Sequence, residues 1–202
     1  MDKEAPDSSR FSEEIARFNT LEFDSQRERI VFTGSSSIRF WPKIQEYYPE
    51  HQIINTGFGG SQMSDLSHYL DETVLRFTPS KVFIYEGDND IAAKRPLESI
   101  MYHTKKVVRT IEKKLPNCKI ILISPKPSIA RWNLRDEYEK LNQAMEEYAG
   151  KKNNRSYANV WDIMLDDNGE VLKEIFIQDG LHMNRKGYEL WDKVIRPLVE
   201  TP

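Results

Sequence analysis

The sequence predicts an α/β fold, a three-layer α/β/α sandwich built on a parallel five-stranded sheet. Five short apolar runs rich in β-branched residues alternate with longer stretches that have helical spacing. Parallel strands need crossover connections, and right-handed crossovers place helices on both faces of the sheet. A doubly wound sheet of five strands commonly has the flavodoxin-like order 2-1-3-4-5, which we adopt. Ligands of such a sheet bind beyond the carboxyl ends of the strands, beside the first strand, where the order reverses.

The individual elements follow from these two patterns in chain order. Helical spacing of apolar residues predicts an opening helix over residues 11–18, and the first buried strand is predicted at 30–33. Further short apolar runs predict strands at 53–55, 81–85, 120–124 and 158–161. The helical pattern between and after them predicts helices over 66–75, 97–115, 138–148 and 187–199.

Length and charge indicate a single domain without a nucleic-acid partner. The chain has 202 residues, of which 39% are hydrophobic and 30% charged, so it can bury one sizeable core. We expect one domain over 1–202, with an N-terminal helical extension at 1–28 and the core at 29–200. The 29 basic and 32 acidic residues give a formal charge of -3. The basic residues are scattered rather than gathered in a stripe that could neutralise a phosphate backbone.

The sequence gives fewer indications of the cellular location of the protein and of any bound metal or cofactor. The lone Cys118 excludes an internal disulfide and precedes an apolar run, so we expect a structural thiol. No segment approaches the roughly 20 apolar residues of a membrane span, and residues 1–10 lack the apolar stretch of a secretory signal. The chain as given therefore favours a soluble cytoplasmic protein, or an exported one if a signal was removed. No His, Cys or carboxylate spacing suggests a metal site, and 166–169 reads as a turn, so we predict no metal and no cofactor.

Clustered hydroxyls follow the first predicted strand. Residues 33–37 read Thr-Gly-Ser-Ser-Ser, which puts a small-residue turn at a strand end, where a nucleophile can be held. Ser36 is the candidate nucleophile. The serines could instead only cap the helix that begins near Ser37, because Ser is a favoured N-cap residue.

The loops after the second and third strands carry hydrogen-bond donors. Residues 55–61 read Asn-Thr-Gly-Phe-Gly-Gly-Ser, and residues 86–90 read Glu-Gly-Asp-Asn-Asp. In the adopted strand order both loops flank the serine turn, so the N–H groups of Ser36 and Gly60 and the Asn89 amide could bind a developing oxyanion. The alternatives are a tight turn at the glycines and a helix cap at 89–90, and we expect Asp90 to cap while Asn89 faces the site.

An acid and an imidazole lie together near the far end of the chain. Asp179 precedes His182 by three residues, a spacing that brings their side chains close on a helical turn. We therefore predict that Asp179 orients His182, which acts as the base for Ser36. Asp162 or Asp166 could be the orienting acid if the loop folds differently.

These blocks together resemble the SGNH hydrolases, also called the GDSL lipase/acylhydrolase family, from Ile30 to Leu198. The four hallmark residues fall in order on Ser36, Gly60, Asn89 and His182. The usual Gly-Asp-Ser at the nucleophile is here Gly-Ser-Ser at 34–36, a variant similar to the branch of platelet-activating-factor acetylhydrolases. The resemblance implies a serine esterase or deacylase that cuts short acyl esters, for example acetyl esters of a carbohydrate or lipid.

Substrate contacts and partners complete the expectations. The segment 125–132 follows the fourth strand, so Arg131 and Trp132 are candidates to contact a small acyl ester, although Trp132 could equally pack beneath the loop. Whether the chain forms a homodimer is left open. A competing hypothesis is a noncatalytic flavodoxin-like protein that binds an anion at the 34–37 turn, which gives Asp179 and His182 no role.

Overall fold

The computed structural model describes residues 7–201 and contains the predicted sheet. Its five parallel strands are β1 (Arg29–Gly34), β2 (Gln52–Gly57), β3 (Lys81–Tyr85), β4 (Lys119–Ile123) and β5 (Arg155–Ala158). Their spatial order is β2-β1-β3-β4-β5, so the predicted order is confirmed. The order reverses beside β1, and the loops after β2 and β3 therefore flank the loop after β1.

Helices cover both faces of this sheet. They are α1 (Ser12–Ala16), α2 (Ser36–Arg39), α3 (Ile44–Tyr47), α4 (Met63–His68), α5 (Leu70–Thr73), α6 (Asp88–Ala92), α7 (Leu97–Lys114), α8 (Arg135–Ala149) and α9 (Arg185–Glu200). Short 3-10 turns occur at Ser8–Phe11, Arg17–Thr20, Leu75–Phe77, Ile129–Leu134, Asp162–Met164 and Lys173–Ile175. No helix within residues 7–201 is both long enough and apolar enough to cross a bilayer.

Strand alternation divides the buried apolar side chains into two cores. Val31 and Val82 point to the face covered by α1 and α4 to α8, whereas Phe32 and Phe83 point to the face covered by α2, α3 and α9. The rings of Phe32 and Phe83 are stacked, with centroids 4.5 Å apart. Because both faces of the central strands are covered, these strands consist of nearly continuous apolar residues, as the sequence pattern suggested.

The fifth strand differs from its predicted position. The sequence pattern favoured residues 158–161, but β5 runs over Arg155–Ala158 and only Ala158 is shared. The strand ends there because Val160 N–H turns to Ser124 Oγ and to the Ala158 carbonyl. The start of β5 was not predicted because Arg155 is polar. In the structure Arg155 is buried and pairs with Glu112 on α7, which offsets the cost of removing its charge from water.

The predicted helix over 66–75 is interrupted. It forms two short helices, α4 and α5, separated at Tyr69, and the backbone departs from helical geometry again at Val74. Thr56 on β2 donates its hydroxyl to the Thr73 carbonyl at 2.8 Å. The Thr73 carbonyl thus accepts a hydrogen bond from the sheet at the point where the helix ends. Apolar periodicity in the sequence does not reveal such a contact.

The N-terminal segment packs on the sheet rather than standing apart. Phe11, Ile15 and Phe18 are buried in the same core as Val31, and the Phe11 ring meets the Phe58 ring edge-on at 5.1 Å. The described part of the predicted extension thus shares its core with the rest of the chain.

Candidate active site

Two glycines let three strand ends meet at the serine turn. Gly34 ends β1 with a φ of +129°, and a Cβ there would lie 1.9 Å from the Tyr85 carbonyl oxygen on β3. Gly57 ends β2, and a Cβ there would lie 2.3 Å from the backbone nitrogen of Arg39 in α2. Larger residues would therefore separate β1 from β3 and α2 from β2.

Ser36 begins α2 and faces the imidazole that follows from the other end of the chain. Ser36 Oγ lies 3.0 Å from His182 Nε2, and His182 Nδ1 lies 2.6 Å from Asp179 Oδ2. The three predicted side chains thus form one hydrogen-bonded row across 146 residues of sequence separation. Such a row can deprotonate a hydroxyl as it attacks a carbonyl carbon.

The segment that carries His182 is a tight loop held at both ends. Ile177 N–H donates to the His182 carbonyl at 2.9 Å, and Gly180 N–H donates to the Ile177 carbonyl at 3.0 Å. Gly180 has a φ of +64°, and its carbonyl accepts the Ala130 N–H from the loop after β4. Just beyond, Asn184 caps α9 through its side chain. These contacts fix the imidazole relative to the sheet.

Asp179 is the acid that the structure brings to His182. Its Oδ1 accepts the N–H groups of Leu181 and His182 at 2.8 and 2.9 Å. Desolvation alone would raise the pKa of Asp179, but the hydrogen bonds from the His182 side chain and from these backbone groups lower it to about 2. The alternatives lie elsewhere, since Asp162 accepts from Asn159 and Asp166 accepts backbone N–H groups of its own turn.

The candidate oxyanion donors lie on the two flanking loops. Gly60, after β2, has a φ of +82°, and a Cβ there would meet nothing within 4 Å. Asn89 lies in α6, after β3, and its Nδ2 donates to the Ser61 carbonyl at 2.9 Å. A carboxamide has two N–H bonds, so one remains for a ligand. The N–H of Ser36 lies in the first turn of α2, where helical hydrogen bonds do not use it.

Arg131 lies in the network that orients Asn89. Its Nη2 donates to Asn89 Oδ1 at 3.1 Å, and its Nη1 donates to the carboxylate and the carbonyl of Asp88. Because a guanidinium only donates and the Ser61 carbonyl only accepts, the Asn89 carboxamide has one consistent orientation. Contact between Arg131 and a substrate remains a prediction.

Asp88 anchors this network from within the protein. It is 5% exposed and accepts hydrogen bonds from the hydroxyls of Tyr85 and Tyr138, while Lys126 Nζ lies 3.6 Å away. Burial alone would raise the pKa of Asp88, but the charges of Lys126 and Arg131 together with the tyrosine hydrogen bonds hold it below its usual range. We did not single out Asp88 or Lys126 from the sequence. The only signal was an acid next to Asn89.

Asp90 does not have the predicted capping role. It lies inside α6, and its carboxylate accepts the N–H of Met63, the first residue of α4. Asp90 therefore joins the loop after β2 to the loop after β3. Burial is the main reason that its pKa is raised to about 7.

Aromatic and apolar side chains surround the row. Trp132 stacks on Trp161 with centroids 5.9 Å apart, which is the packing alternative weighed for this residue. Phe40 is 51% exposed and its ring meets the His182 ring edge-on at 5.3 Å. Ile129 and Ile177 are also exposed and lie beside the loop that carries His182. This rim presents apolar surface next to the reactive groups.

Metal ligation is not supported by the described residues. Within 7–201, no group of three or more His, Cys, Asp or Glu side chains is arranged to hold an ion. What the arrangement offers is a polarised hydroxyl, a base and converging N–H donors, the combination that acyl transfer uses.

Comparison with known proteins agrees with this chemistry. The profile of the GDSL-like lipase/acylhydrolase family matches residues 30–190, so the family resemblance inferred from the sequence is confirmed. A solved structure of a Streptococcus pneumonia protein, described by the name platelet activating factor, has a TM-score of 0.83 at 23% identity and covers 95% of this chain and 92% of its own. That likeness establishes the shared fold.

Two curated proteins are also similar to the chain. The N-acylneuraminate cytidylyltransferase of Escherichia coli O18:K1:H7 is 27% identical over 183 residues, which are 89% of this chain and 42% of that protein. The chain thus corresponds to less than half of that relative. The isoamyl acetate-hydrolyzing esterase 1 homolog of Bos taurus is 26% identical over 172 residues, covering 73% of this chain and 68% of that protein.

Proposed function

This chain belongs to the GDSL-like lipase/acylhydrolase family, its matched region is a carboxylic ester hydrolase domain, and we propose that it cleaves short acyl esters through an acyl-enzyme on Ser36. The observation that carries the proposal is the hydrogen-bonded row from Ser36 through His182 to Asp179, with contacts of 3.0 and 2.6 Å. The competing anion-binding hypothesis gives no role to this row.

The row supports a two-step reaction. Ser36 Oγ attacks the ester carbonyl carbon while His182 Nε2 takes the hydroxyl proton, and His182 then gives that proton to the leaving alcohol. Water, deprotonated by the same imidazole, then attacks the acyl carbon; the bond from that carbon to Ser36 Oγ breaks, His182 returns the proton to Oγ, and the acid is released. Asp179 accepts from Nδ1 throughout, which keeps the imidazole in the required tautomer and stabilises its charged form.

The tetrahedral intermediates need donors for their oxyanion. We assign this role to the N–H groups of Ser36 and Gly60 and to the free N–H of Asn89, because they lie on the three loops that converge at the end of β1. Each donor is worth on the order of 3 kcal/mol in the transition state. Asn89→Ala should therefore lower kcat more than it raises KM, whereas a pure KM effect would assign Asn89 to ground-state binding.

The apolar rim of the site and the names of two relatives support a proposal for the substrate class. The exposed apolar side chains of Phe40, Ile129 and Ile177 suit an uncharged acyl or alkyl group. One relative is named as a homolog of an isoamyl acetate-hydrolyzing esterase, and the name of another contains the sugar N-acylneuraminate. We therefore propose an acetyl or similarly short acyl ester as the substrate, with a carbohydrate or lipid as the alcohol.

Nitrophenyl esters of increasing acyl length, assayed beside acetylated sugars, test the substrate class. Wild-type protein should hydrolyse nitrophenyl acetate, and Ser36→Ala should abolish that activity. A fluorophosphonate should label Ser36 in the wild type but not in a His182→Ala variant. Ser12→Ala, at an exposed serine on α1, is the matched control and should leave turnover unchanged. Hydrolysis that survives in Ser36→Ala would exclude Ser36 as the nucleophile.

A further inference from the structure

A buried carboxyl group outside the Ser36 row contacts the loop that carries Gly60. Glu86 directly follows β3 and is 0% exposed. Its Oε1 lies 2.5 Å from Ser61 Oγ, and its Oε2 has no hydrogen-bond partner among residues 7–201. The mechanism above gives this residue no role.

The two hydrogen bonds of Ser61 Oγ indicate whether the Glu86 carboxyl group is protonated. Ser61 Oγ donates to the Phe58 carbonyl at 2.9 Å, and a hydroxyl has one hydrogen to donate. The short contact with Glu86 then needs a second hydrogen, which only the Glu86 carboxyl group can supply. A protonated Glu86 completes both contacts, whereas an ionised Glu86 leaves Phe58 or Glu86 without a donor.

The surroundings favour the same protonation state. Burial is the main cause that raises the pKa of Glu86 well above its usual range. The carboxylates of Asp90, Asp65 and Asp88 raise it further and outweigh the hydrogen bond with Ser61, which acts to lower it. The cations nearby are engaged with those other acids. Arg10 pairs with Asp65, Lys126 and Arg131 pair with Asp88, and the charge of Arg95 acts on Asp90.

Ser61 connects Glu86 to the proposed oxyanion donors. The Ser61 carbonyl accepts Nδ2 of Asn89 at 2.9 Å, and Ser61 directly follows Gly60. Phe58, the other partner of the Ser61 hydroxyl, lies two residues before Gly60. Displacement of Ser61 would therefore move one donor and release the other.

We propose that Glu86 is a positioning residue of the oxyanion site: as a neutral carboxylic acid it donates to Ser61 Oγ and thereby holds Gly60 and Asn89 in place. The proposal rests on the function assigned to those two donors. No proton of Glu86 moves during turnover, and its protonated form is part of the resting structure.

Two substitutions of Glu86 separate the hydrogen bond from the charge. Glu86→Gln keeps a donor that cannot ionise, and its kcat should stay within about threefold of wild type at neutral pH. Glu86→Met removes the donor at similar length and should lower kcat by about 100-fold with little change in KM. Glu13→Gln and Glu13→Met, at an exposed glutamate on α1, are the matched controls.

Infrared difference spectra measure the protonation state of Glu86 independently of enzyme activity. Wild type minus Glu86→Gln at neutral pH should show the C=O band of a carboxylic acid and not the paired bands of a carboxylate. In alkali the wild-type kcat should fall as Glu86 ionises, while Glu86→Gln should lack that fall. Asp90 titrates in both proteins, so it cancels in the comparison.

Three results would overturn the proposal: carboxylate bands in the difference spectrum, equal loss of kcat in Glu86→Gln and Glu86→Met, or full activity of Glu86→Met. If Glu86→Met does not fold, Ser61→Ala replaces it and should show the same loss of kcat. Fluorophosphonate labelling of Ser36 in the wild type tests the esterase function independently of Glu86. Its absence would refute the esterase function, whereas labelling combined with carboxylate bands would refute only the role of Glu86.

Discussion

Replacing Arg131 by Met separates two roles for this arginine. The guanidinium donates to Asn89 Oδ1 at 3.1 Å, and the Asn89 carboxamide has a second hydrogen bond, from Nδ2 to the Ser61 carbonyl, at 2.9 Å. The variant thus removes one of two contacts that orient Asn89. If Arg131 acts through Asn89, the damage should appear in kcat, whereas direct contact with substrate would appear mainly in KM.

The expected size follows from the hydrogen bond that is lost. A hydrogen bond from a charged donor contributes about 1.5–3 kcal/mol, while loss of a whole oxyanion donor costs roughly 100- to 1000-fold in kcat. The bond to Ser61 remains, so the carboxamide is loosened rather than removed. We therefore expect Arg131→Met to lower kcat by about 10- to 100-fold, equivalent to about 1.4–2.7 kcal/mol of activation free energy.

A double-mutant cycle with Asn89→Ala isolates the coupling. Once the carboxamide is absent, Arg131 has nothing to orient, and Arg131→Met in that background should change kcat by less than about threefold. Steady-state hydrolysis of nitrophenyl acetate measures all four proteins. Additive effects of the two substitutions, or a rise in KM at constant kcat, would refute the positioning role.

Stability must be followed in the same experiment. Arg131→Met leaves the buried Asp88 carboxylate with Lys126 at 3.6 Å as its remaining cation, so a lower Tm is expected. Arg131→Lys retains a charge but not the planar fork, and should recover Tm more than kcat. Arg135→Met, at an exposed arginine paired with Glu139, is the matched control and should leave both quantities near wild type.

Three further predictions concern the orienting acid, the glycines and acid stability. Asp179→Asn should lower kcat by roughly 10⁴-fold because an amide favours the wrong imidazole tautomer, and a loss below about tenfold would remove Asp179 from the row. Gly34→Ala should prevent folding because its Cβ would lie 1.9 Å from a carbonyl oxygen. A Cβ at Gly60 would meet no atom within 4 Å, so Gly60→Ala should fold and lose about 1–2 kcal/mol of unfolding free energy because of its positive φ. Equal thermal melts of Gly34→Ala and Gly60→Ala would contradict these two expectations. Hydrogen bonds from Arg155 are the main cause that lowers the pKa of Glu112 from 4.5 to about 2. The stabilisation of the fold by the ionised Glu112 should therefore be complete above pH 4.5 and lost as the pH falls through about 2. If the Tm of Glu112→Gln keeps the wild-type pH dependence, Glu112 is not the source of the acid sensitivity.

The fold was largely predictable because its pattern is local. Strands buried on both faces must be short apolar runs, and the crossover rule then leaves few topologies. The order that we adopted from this class of sheet is the order observed. The fifth strand was misplaced because its position depends on a distant contact: the buried Arg155 pairs with Glu112, 43 residues away.

The candidate site was predictable where its residues stand at a strand end or close together in the chain. A serine at a strand end and an acid three residues before a histidine are visible in a single sequence. Arg131 was less accessible, because a loop arginine can contact a substrate or a neighbouring side chain and sequence does not distinguish the two. Glu86 and Asp88 could not be singled out from the sequence, because their importance comes from burial.

The sequence by itself determined the strand-and-helix alternation, the sheet class and the residue types available for acyl transfer, because these depend on local periodicity and on side-chain chemistry. Only the tertiary structure decided which acid reaches His182, which groups Arg131 contacts and how deeply Glu86 is buried. Those outcomes depend on distances of a few ångströms between segments far apart in the chain and on the exclusion of water from the groups that they enclose.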